Sequence, residues 1–422
     1  MRAIVLSTAL TFSTALSLVL TACGPSSPVT DARTAQADEP QTPARGAPVR
    51  QDAANKADAV PAFPEQTRAP ESKSNVALKV ETIADGIDHP WGSAVLPGDG
   101  SLLVASKAGK LWLIVPGKAK TEVTGVPKVD TRSQGGLHDI SLGPDFMTAR
   151  TVYLSFAETR DGGKTSTSLA RGKLSADNSK LEGVQIIFRQ EPAWESTGHF
   201  GSNLEWDSAG NLYLTVGDRQ VPESRVLAQD INTHLGKVLR LTADGKAAEG
   251  NPFAGRTDAK PEVWSYGHRN VQGAAIHPGT GKLWTIEHGP RGGDEINIPE
   301  AGKNYGWPVI CYCIDYPGNP IGEGITAKEG MEQPVYYFDP VIAPGDMIFY
   351  TGNLFPWKGD ILASGLKTRD IVRLKLDGDK VIGEERVLTD QGRIRDIVQA
   401  PDGALYVLVD DAGKVLRVTP AA

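Results

Sequence analysis

The chain has 422 residues, and its 51 aspartates and glutamates outnumber its 44 lysines and arginines, giving a formal net charge of −7. This acidic balance argues against nucleic acid as a partner, because nucleic-acid-binding proteins carry a basic patch or stripe. The length allows one large or two ordinary domains, and the 46 glycines and 29 prolines favour many turns between short strands.

The N-terminus resembles a bacterial lipoprotein signal peptide over residues 1–22. A positive start is followed by the apolar run 3–20, and Cys23 stands at the expected cleavage point. An ordinary secretory signal followed by a chance cysteine is the alternative. Gly24 after the cysteine, rather than an aspartate, resembles outer-membrane sorting. We therefore expect acylation of Cys23 and a location in the cell envelope, with a lipid anchor in the outer membrane facing the periplasm.

Residues 23–75 are rich in Ala, Pro, Asp, Ser and Thr and contain almost no aromatic residues. Such a composition cannot bury an apolar core, so the sequence predicts a disordered tether over 23–75. The folded domain is expected over 76–422. A two-domain organisation is disfavoured, because no linker-like stretch follows residue 75.

From residue 76 onward, one pattern recurs: a polar turn with Gly or Asp is followed by a short run typical of a β-strand. Recurrence at such spacings is typical of solenoids and propellers. Six copies without intervening helices predict an all-β fold, a six-bladed β-propeller with four-stranded antiparallel blades around a central channel. The copies are Pro97–Val104, Pro144–Leu154, Asp207–Leu214, Pro278–Trp284, Trp357–Leu362 and Pro401–Val407.

The two ends of this region predict how the ring closes. The first strand-like run, Ala77–Glu81, precedes the first copy, and the last copy continues through Lys414–Val418. We expect the N-terminal strand to complete the last blade, which leaves fewer free edges. Equivalent loops on one face would then surround the channel mouth.

The stretch 262–307 contains the densest polar clusters. Two strand-like runs, Val263–Tyr266 and Leu283–Glu287, are each followed by a cluster of glycine, histidine and charged residues. Binding and catalytic residues commonly lie on loops held by a rigid scaffold, although Gly, Asn and Asp also form ordinary turns.

Four cations would face the channel mouth: Arg269, Lys367, Arg393 and Arg395. Burying several like charges is costly unless an anion neutralises them, and arginine suits paired hydrogen bonds with carboxylates. The pattern predicts a ligand with several negative charges. The alternative is that each cation is a solvated surface charge.

His199 is the candidate general base. It lies at a predicted loop end, and a histidine near its ordinary pKa can take a proton at neutral pH. Asp218, which ends the next strand, is placed by the repeat to orient it. A structural histidine is the alternative, and His138 and His288 are competing bases.

Cys311 and Cys313 are the remaining cysteines. An oxidising cell envelope favours their pairing, although so short a loop would be strained and easily reduced. A metal site is disfavoured because no second Cys or His pair lies at ligand spacing.

Four motifs resemble the glucose/sorbosone dehydrogenase family. They are GHRNVQG at 267–273, EHGPRGGDEINI at 287–298, GKNYGW at 302–307 and RIRD at 393–396. The resemblance covers nearly everything from residue 76 to 422, and the family fold is a six-bladed propeller. It implies oxidation of aldose sugars to lactones with pyrroloquinoline quinone (PQQ) and calcium as cofactors.

The resemblance also implies roles for individual residues. His199 would take the proton of the sugar's anomeric hydroxyl, with hydride passing to quinone carbon C5, and Asp218 would position this base. Arg269 would lie near the quinone carbonyl. The remaining implied PQQ contacts are Gln134, Asn270 and Gln272, together with Lys367, Arg393 and Arg395 at the carboxylates and quinone oxygens.

Two calcium sites are implied in the same way. The backbone carbonyls of Gly289 and Pro290 would bind the calcium that activates the quinone, since calcium takes oxygen ligands and acts as a Lewis acid. Glu295 and Tyr305 would belong to a second, structural site, Tyr305 through its carbonyl.

The sequence departs from the soluble glucose dehydrogenases at three points. Gly198 stands where they have an aspartate, His288 stands where they have a glutamine, and their sugar-stacking tryptophan has no clear match at 338–341. Glucose preference therefore does not carry over, and the electron acceptor stays undetermined.

Two other functions remain open. A calcium-dependent lactonase-like hydrolase would need carboxylate and asparagine ligands at the channel centre. A non-enzymatic binding propeller would not need a base such as His199.

Overall fold

The structure is a computed structural model that describes residues 46–421. The predicted signal peptide 1–22, the acylated Cys23 and the first part of the predicted tether, 23–45, lie outside the described residues and stay predictions. Within 46–421 the chain forms six sheets of four antiparallel strands, which confirms the predicted six-bladed propeller. No helix in this range is long and apolar enough to cross a membrane.

The strands follow one another around the ring. The first strand of the chain is β1 (Leu78–Ala84). Blade 1 contains β2 (Pro90–Val95), β3 (Leu102–Ser106), β4 (Lys110–Ile114) and β5 (Thr121–Val123). Blade 2 contains β6 (Leu137–Leu142), β7 (Thr151–Thr159), β8 (Thr165–Leu174) and β9 (Leu181–Arg189). Blade 3 contains β10 (Gly201–Trp206), β11 (Leu212–Val216), β12 (Lys237–Leu241) and β13 (Val263–Tyr266).

The second half of the ring has the same order. Blade 4 contains β14 (Val271–Ile276), β15 (Leu283–Glu287), β16 (Asp294–Asn297) and β17 (Tyr336–Phe338). Blade 5 contains β18 (Pro344–Phe349), β19 (Ile361–Gly365), β20 (Ile371–Asp377) and β21 (Lys380–Val387). Blade 6 contains β22 (Ile394–Gln399), β23 (Leu405–Val409), β24 (Lys414–Pro420) and β1.

Helices in the described range are short. The α-helices are α1 (Phe146–Ala149) and α2 (Pro222–Arg225), and the 3₁₀ helices are Pro64–Gln66, Asp161–Gly163 and Val226–Gln229.

The repeated sequence pattern corresponds to one position in every blade. Each predicted polar turn connects the first strand to the second, and the β-rich run after it is the second strand. Strands β3, β11, β15, β19 and β23 are buried at every residue because neighbouring blades cover both of their faces. The apolar core is therefore a set of layers between blades. For example, Leu103 of blade 1 packs in one cluster with Phe156 of blade 2.

The ring closes as predicted. Strand β1 pairs antiparallel with β24, with Val80 opposite Val418. The first and last strands of the propeller thus share a sheet, and blade 6 has a full set of four strands.

Residues 46–75, which we call the N-terminal strap, differ from the predicted tether. The Thr67 hydroxyl donates to the Tyr337 carbonyl of β17 at 2.8 Å, and the Ser72 amide donates to the Glu384 carbonyl of β21 at 2.8 Å. Ala69 is fully buried in the apolar layer between blades 4 and 5. The prediction of disorder is wrong for the strap, because hydrogen bonds to the propeller order a segment that has no core of its own.

Candidate active site

A cavity of about 460 Å³ opens at one face of the propeller. It lies where the first strand of each blade begins and the second strand ends, because an antiparallel pair brings these two points to the same face. We call it the mouth cavity. The predicted site residues that line it are Gln134, His199, Arg269, Asn270, Gln272, Gly289, Pro290, Lys367, Arg393 and Arg395.

His199 is held at the cavity wall by several contacts. Its backbone amide donates to Gln134 Oε1 at 2.8 Å, and its carbonyl accepts a hydrogen bond from Arg219 at 3.2 Å. Its φ of 48° is left-handed, a conformation that such neighbours must maintain for a residue other than glycine. Asp218 lies behind it, outside the cavity, with Oδ1 2.6 Å from His199 Nδ1.

The electrostatic surroundings keep His199 neutral. Burial, followed by the nearby charge of Arg269, lowers its pKa below the ordinary histidine value, although Asp218 opposes this shift. The Asp218 pKa is lowered despite burial because His199 and Arg269 stabilise the carboxylate. With Nδ1 bonded to Asp218, the unprotonated Nε2 is the nitrogen available as a base.

The two competing histidines differ from each other. His138 is fully buried, and its Nδ1 and Nε2 bond to Ser202 Oγ and to the Gln134 carbonyl, both at 3.0 Å. Burial lowers the His138 pKa to about 3. These contacts make His138 a structural residue, whereas His288 lines the mouth cavity and stays a second candidate base.

The predicted cations converge on the cavity, together with Arg291. Arg395 is buried and contacts both an aromatic ring and an amide. Its guanidinium lies 4.0 Å from the ring centre of Trp91 and donates to Gln272 Oε1 at 3.1 Å. Burial lowers the Arg395 pKa to about 10.

Two of these arginines have unused donors. Within residues 46–421, the buried Nε atoms of Arg269 and Arg395 have no hydrogen-bond partner. A buried donor without an acceptor costs free energy. An anionic group with several acceptor oxygens fits this cavity because five cations line it. The carboxylates of the cofactor that the sequence implies have this chemistry.

Gly289 and Pro290 offer free backbone carbonyls. Among the backbone hydrogen bonds of the described residues, neither carbonyl accepts one. Asp294 fixes their loop by accepting from the Gly289 amide at 2.8 Å and from the Ala343 amide at 2.7 Å. Both residues line the mouth cavity, and carbonyl oxygens without a donor fit the ligand preference of calcium. Groups of three or more His, Cys, Asp or Glu side chains suited to a metal are absent from 46–421.

Glu295 and Tyr305 lie outside the mouth cavity. They line a neighbouring cavity of about 10 Å³, together with Glu287 and Gly293. Burial, and then the charge of Glu287, raises the pKa of Glu295 well above its ordinary value. A space near the size of one water or ion beside two carboxyl groups fits a single bound cation.

A second group of acids lies deeper in the channel. Asp139, Asp346 and Asp396 line a cavity of about 10 Å³. Burial raises the pKa of each, and the charge of Asp396 adds to the rise at Asp139 and Asp346. Ser93 Oγ is hydrogen-bonded to Asp396. With Asn203, which lines the same cavity, this group supplies the carboxylate and asparagine side chains that the lactonase-like alternative requires, so the reconstitution assay includes lactone hydrolysis as an outcome.

Cys311 and Cys313 form a disulfide with their Cα atoms 5.2 Å apart. Their loop packs closely against the glycines before β16. A Cβ added at Gly293 would lie 3.0 Å from the carbonyl carbon of Tyr312. The disulfide loop therefore supports the segment that carries the Gly289 and Pro290 carbonyls.

The residues that line the cavity without a role assigned from the sequence include Asn55, Trp91, Asp294 and Tyr316. Asp294 could have been identified from the sequence, since it lies inside the GGDE part of the motif at 287–298. Trp91 begins the first blade, but nothing in the sequence indicates that it stacks on Arg395. Asn55 fell in the segment assigned to the tether.

One departure from the glucose dehydrogenase pattern has a structural explanation. A Cβ added at Gly198 would lie 1.8 Å from Gln220 Oε1, so the Gln220 side chain occupies this space. An aspartate at 198 would require Gln220 to move.

Comparisons with known proteins agree with the fold and the motifs. The glucose/sorbosone dehydrogenase family model matches residues 87–417. Aldose sugar dehydrogenase YliI of Escherichia coli K12 is 43% identical over 350 residues, covering 81% of this chain and 93% of the relative. The apo form of the soluble aldose sugar dehydrogenase from Escherichia coli gives a TM-score of 0.78 at 41% identity, covering 82% and 100% of the chains. The PQQ-bound aldose sugar dehydrogenase from Streptomyces coelicolor gives 0.69 at 28% identity, covering 82% and 99%.

Proposed function

Because the chain belongs to the glucose/sorbosone dehydrogenase family, we propose that it oxidises aldose sugars to lactones with PQQ and calcium as cofactors. One observation carries the proposal: a histidine whose Nδ1 is hydrogen-bonded to a buried carboxylate lines the same cavity as a group of cations. The PQQ-bound form of the Streptomyces coelicolor relative supports this cofactor.

The cations suit the cofactor's charge. PQQ has three carboxylates, and Lys367, Arg393 and Arg395 would hold them through charge-assisted hydrogen bonds. Arg269 lines the same cavity and donates through Nη1 to the His288 carbonyl at 2.8 Å, and its remaining guanidinium donors would serve a quinone oxygen. Bound in the mouth cavity, PQQ would accept two electrons as a hydride from sugar carbon C1.

His199 supplies the acid–base chemistry. Its Nε2 takes the proton of the anomeric hydroxyl, so that the sugar loses a proton and a hydride and becomes a lactone. Asp218 keeps the Nδ1–H tautomer in place and stabilises the imidazolium that forms. Trp307 Nε1 donates to Asp218 Oδ2 at 2.8 Å and fixes the carboxylate in turn.

Calcium would bind at two places. The carbonyls of Gly289 and Pro290 would hold the ion that polarises the quinone. Glu295 and the Tyr305 carbonyl would hold a structural ion, which would replace the proton that the raised pKa of Glu295 otherwise favours.

A reconstitution assay tests the function. Apo-protein is supplied with PQQ, calcium, a panel of aldoses and an artificial electron acceptor. Acceptor reduction that requires PQQ, calcium and an aldose together is the expected result. Saturable PQQ binding without turnover of any aldose would favour a binding propeller, and lactone hydrolysis without PQQ would favour the hydrolase.

A further inference from the structure

The N-terminal strap contributes to the mouth cavity from outside the family region. The family match begins at residue 87, yet Asn55 lines the cavity. In addition, the apo structure from Escherichia coli is matched over its whole length by only 82% of this chain. The strap therefore adds a polar group to the cavity that the matched region does not supply.

Asp339 holds Asn55 in place. Its Oδ1 accepts from the Asn55 backbone amide at 2.7 Å and from Asn55 Nδ2 at 2.8 Å, while its Oδ2 accepts from the Lys56 amide at 2.9 Å. Arg68 Nη2 donates to the Asp339 carbonyl at 2.7 Å. Asp339 is buried directly after β17, so the position of Asn55 is fixed by the blade.

The hydrogen-bonding state of Asn55 distinguishes it from the other amides of the cavity. Gln134 Oε1 already accepts from His199, Asn270 Oδ1 from Gly201, and Gln272 Oε1 from Arg395. Asn55 donates through Nδ2, and no hydrogen bond within residues 46–421 uses its Oδ1. Asn55 thus brings an amide oxygen without an intramolecular donor to a cavity that is also lined by five cations.

A free acceptor selects the kind of group that it meets. A carboxylate would be repelled, because both partners accept hydrogen bonds, whereas a hydroxyl group can donate to it. A sugar carries several hydroxyls that need acceptors, and the cations around this cavity cannot accept.

We propose that Asn55 contacts the substrate and accepts a hydrogen bond from an aldose hydroxyl remote from C1. Asp339 is its positioning residue. The inference rests on the proposed function and extends it, because the strap becomes part of the specificity of the site.

Asn55→Ala tests the contact, with Gln51→Ala as the control, since Gln51 is an exposed amide of the same strap that does not line the cavity. On PQQ-loaded protein, KM and kcat are measured over an aldose panel and the Kd of the product lactone is measured by calorimetry. The Kd of PQQ is measured by titrating the apo-protein. Asn55→Ala should raise KM and the lactone Kd about 3- to 10-fold, the effect of one hydrogen bond. The kcat, the Kd of PQQ and all values for Gln51→Ala should stay unchanged.

Asp339→Asn provides an independent test, since the new amide cannot accept all of the donors that hold the Asn55–Lys56 turn. It should raise KM on the same aldoses without changing kcat. If Asn55→Ala leaves KM and lactone affinity unchanged while the parent is active, the inference is overturned and the proposed function stands. A weaker PQQ affinity in Asn55→Ala would also overturn it, by making Asn55 a cofactor contact. A parent inactive on every aldose refutes the proposed function and this inference with it.

Discussion

Asp218 Oδ1 lies 2.6 Å from His199 Nδ1, and both side chains are buried. The contact assigns the proton of the imidazole to Nδ1, because the carboxylate can only accept. His199 lines the mouth cavity and Asp218 does not, so Asp218 can orient the base but cannot reach the substrate itself.

His199→Ala should keep PQQ affinity but lower kcat by about 10²–10⁴-fold, the usual contribution of a positioned general base. Stopped-flow or steady-state turnover, with PQQ titration alongside, measures both quantities. His288→Ala is the matched comparison, since His288 lines the same cavity. A near-parent rate for His199→Ala together with a large loss for His288→Ala would transfer the role of base to His288.

The pH profile should report the His199 environment. Because burial and Arg269 lower its pKa below the ordinary 6.5, the neutral form persists to lower pH, and the acid limb of kcat/KM should lie below pH 6.5. Asp218 raises this pKa, so Asp218→Asn should move the limb to still lower pH while kcat falls. A limb that moves to higher pH, or does not move, would contradict the pairing.

The fold was predictable from the sequence because the same turn-and-strand signal recurs in every blade. Leu103 and Leu214 lie in second strands, β3 and β11, which neighbouring blades cover on both faces. These strands must be apolar whichever ligand the protein binds. The meeting of loops that are distant in sequence was also predictable, because the repeat places equivalent loops at the same end of every blade. His199 and Arg395 are far apart in sequence but line the same cavity.

The strap could not be predicted in this way. Its order depends on hydrogen bonds to Tyr337 and Asp339, which its own composition does not reveal. The stacking of Arg395 on Trp91 was also hidden, because the two residues meet through ring closure rather than through local sequence.

Removal of calcium should abolish turnover, and adding calcium back with PQQ should restore it, since polarisation of the quinone would depend on the ion at Gly289 and Pro290. Turnover is measured alongside metal analysis of the chelated protein. Glu295→Gln should reduce the calcium-induced rise in Tm, because one carboxylate ligand is lost. Full activity of a verified calcium-free holoenzyme would contradict the assignment.

The last prediction concerns the cations. Charge-assisted hydrogen bonds contribute roughly 1.5–3 kcal/mol each, and 1.4 kcal/mol corresponds to about a tenfold change in affinity. Lys367→Ala or Arg395→Ala should therefore weaken PQQ binding by about one to two decades. Lys358→Ala, an exposed lysine that does not line the cavity, is the control and should bind PQQ like the parent.

The apo forms should melt close to the parent temperature, because removing one cation relieves repulsion among like charges. Arg395→Ala is the stricter test, since this arginine also packs on Trp91. PQQ titration measures the cofactor affinity of each variant, and thermal melts of the apo forms measure its stability. Unchanged PQQ affinity would show that these cations do not bind the cofactor. A large loss of apo stability would show that they hold the blades together, and the anion-binding argument would then fail.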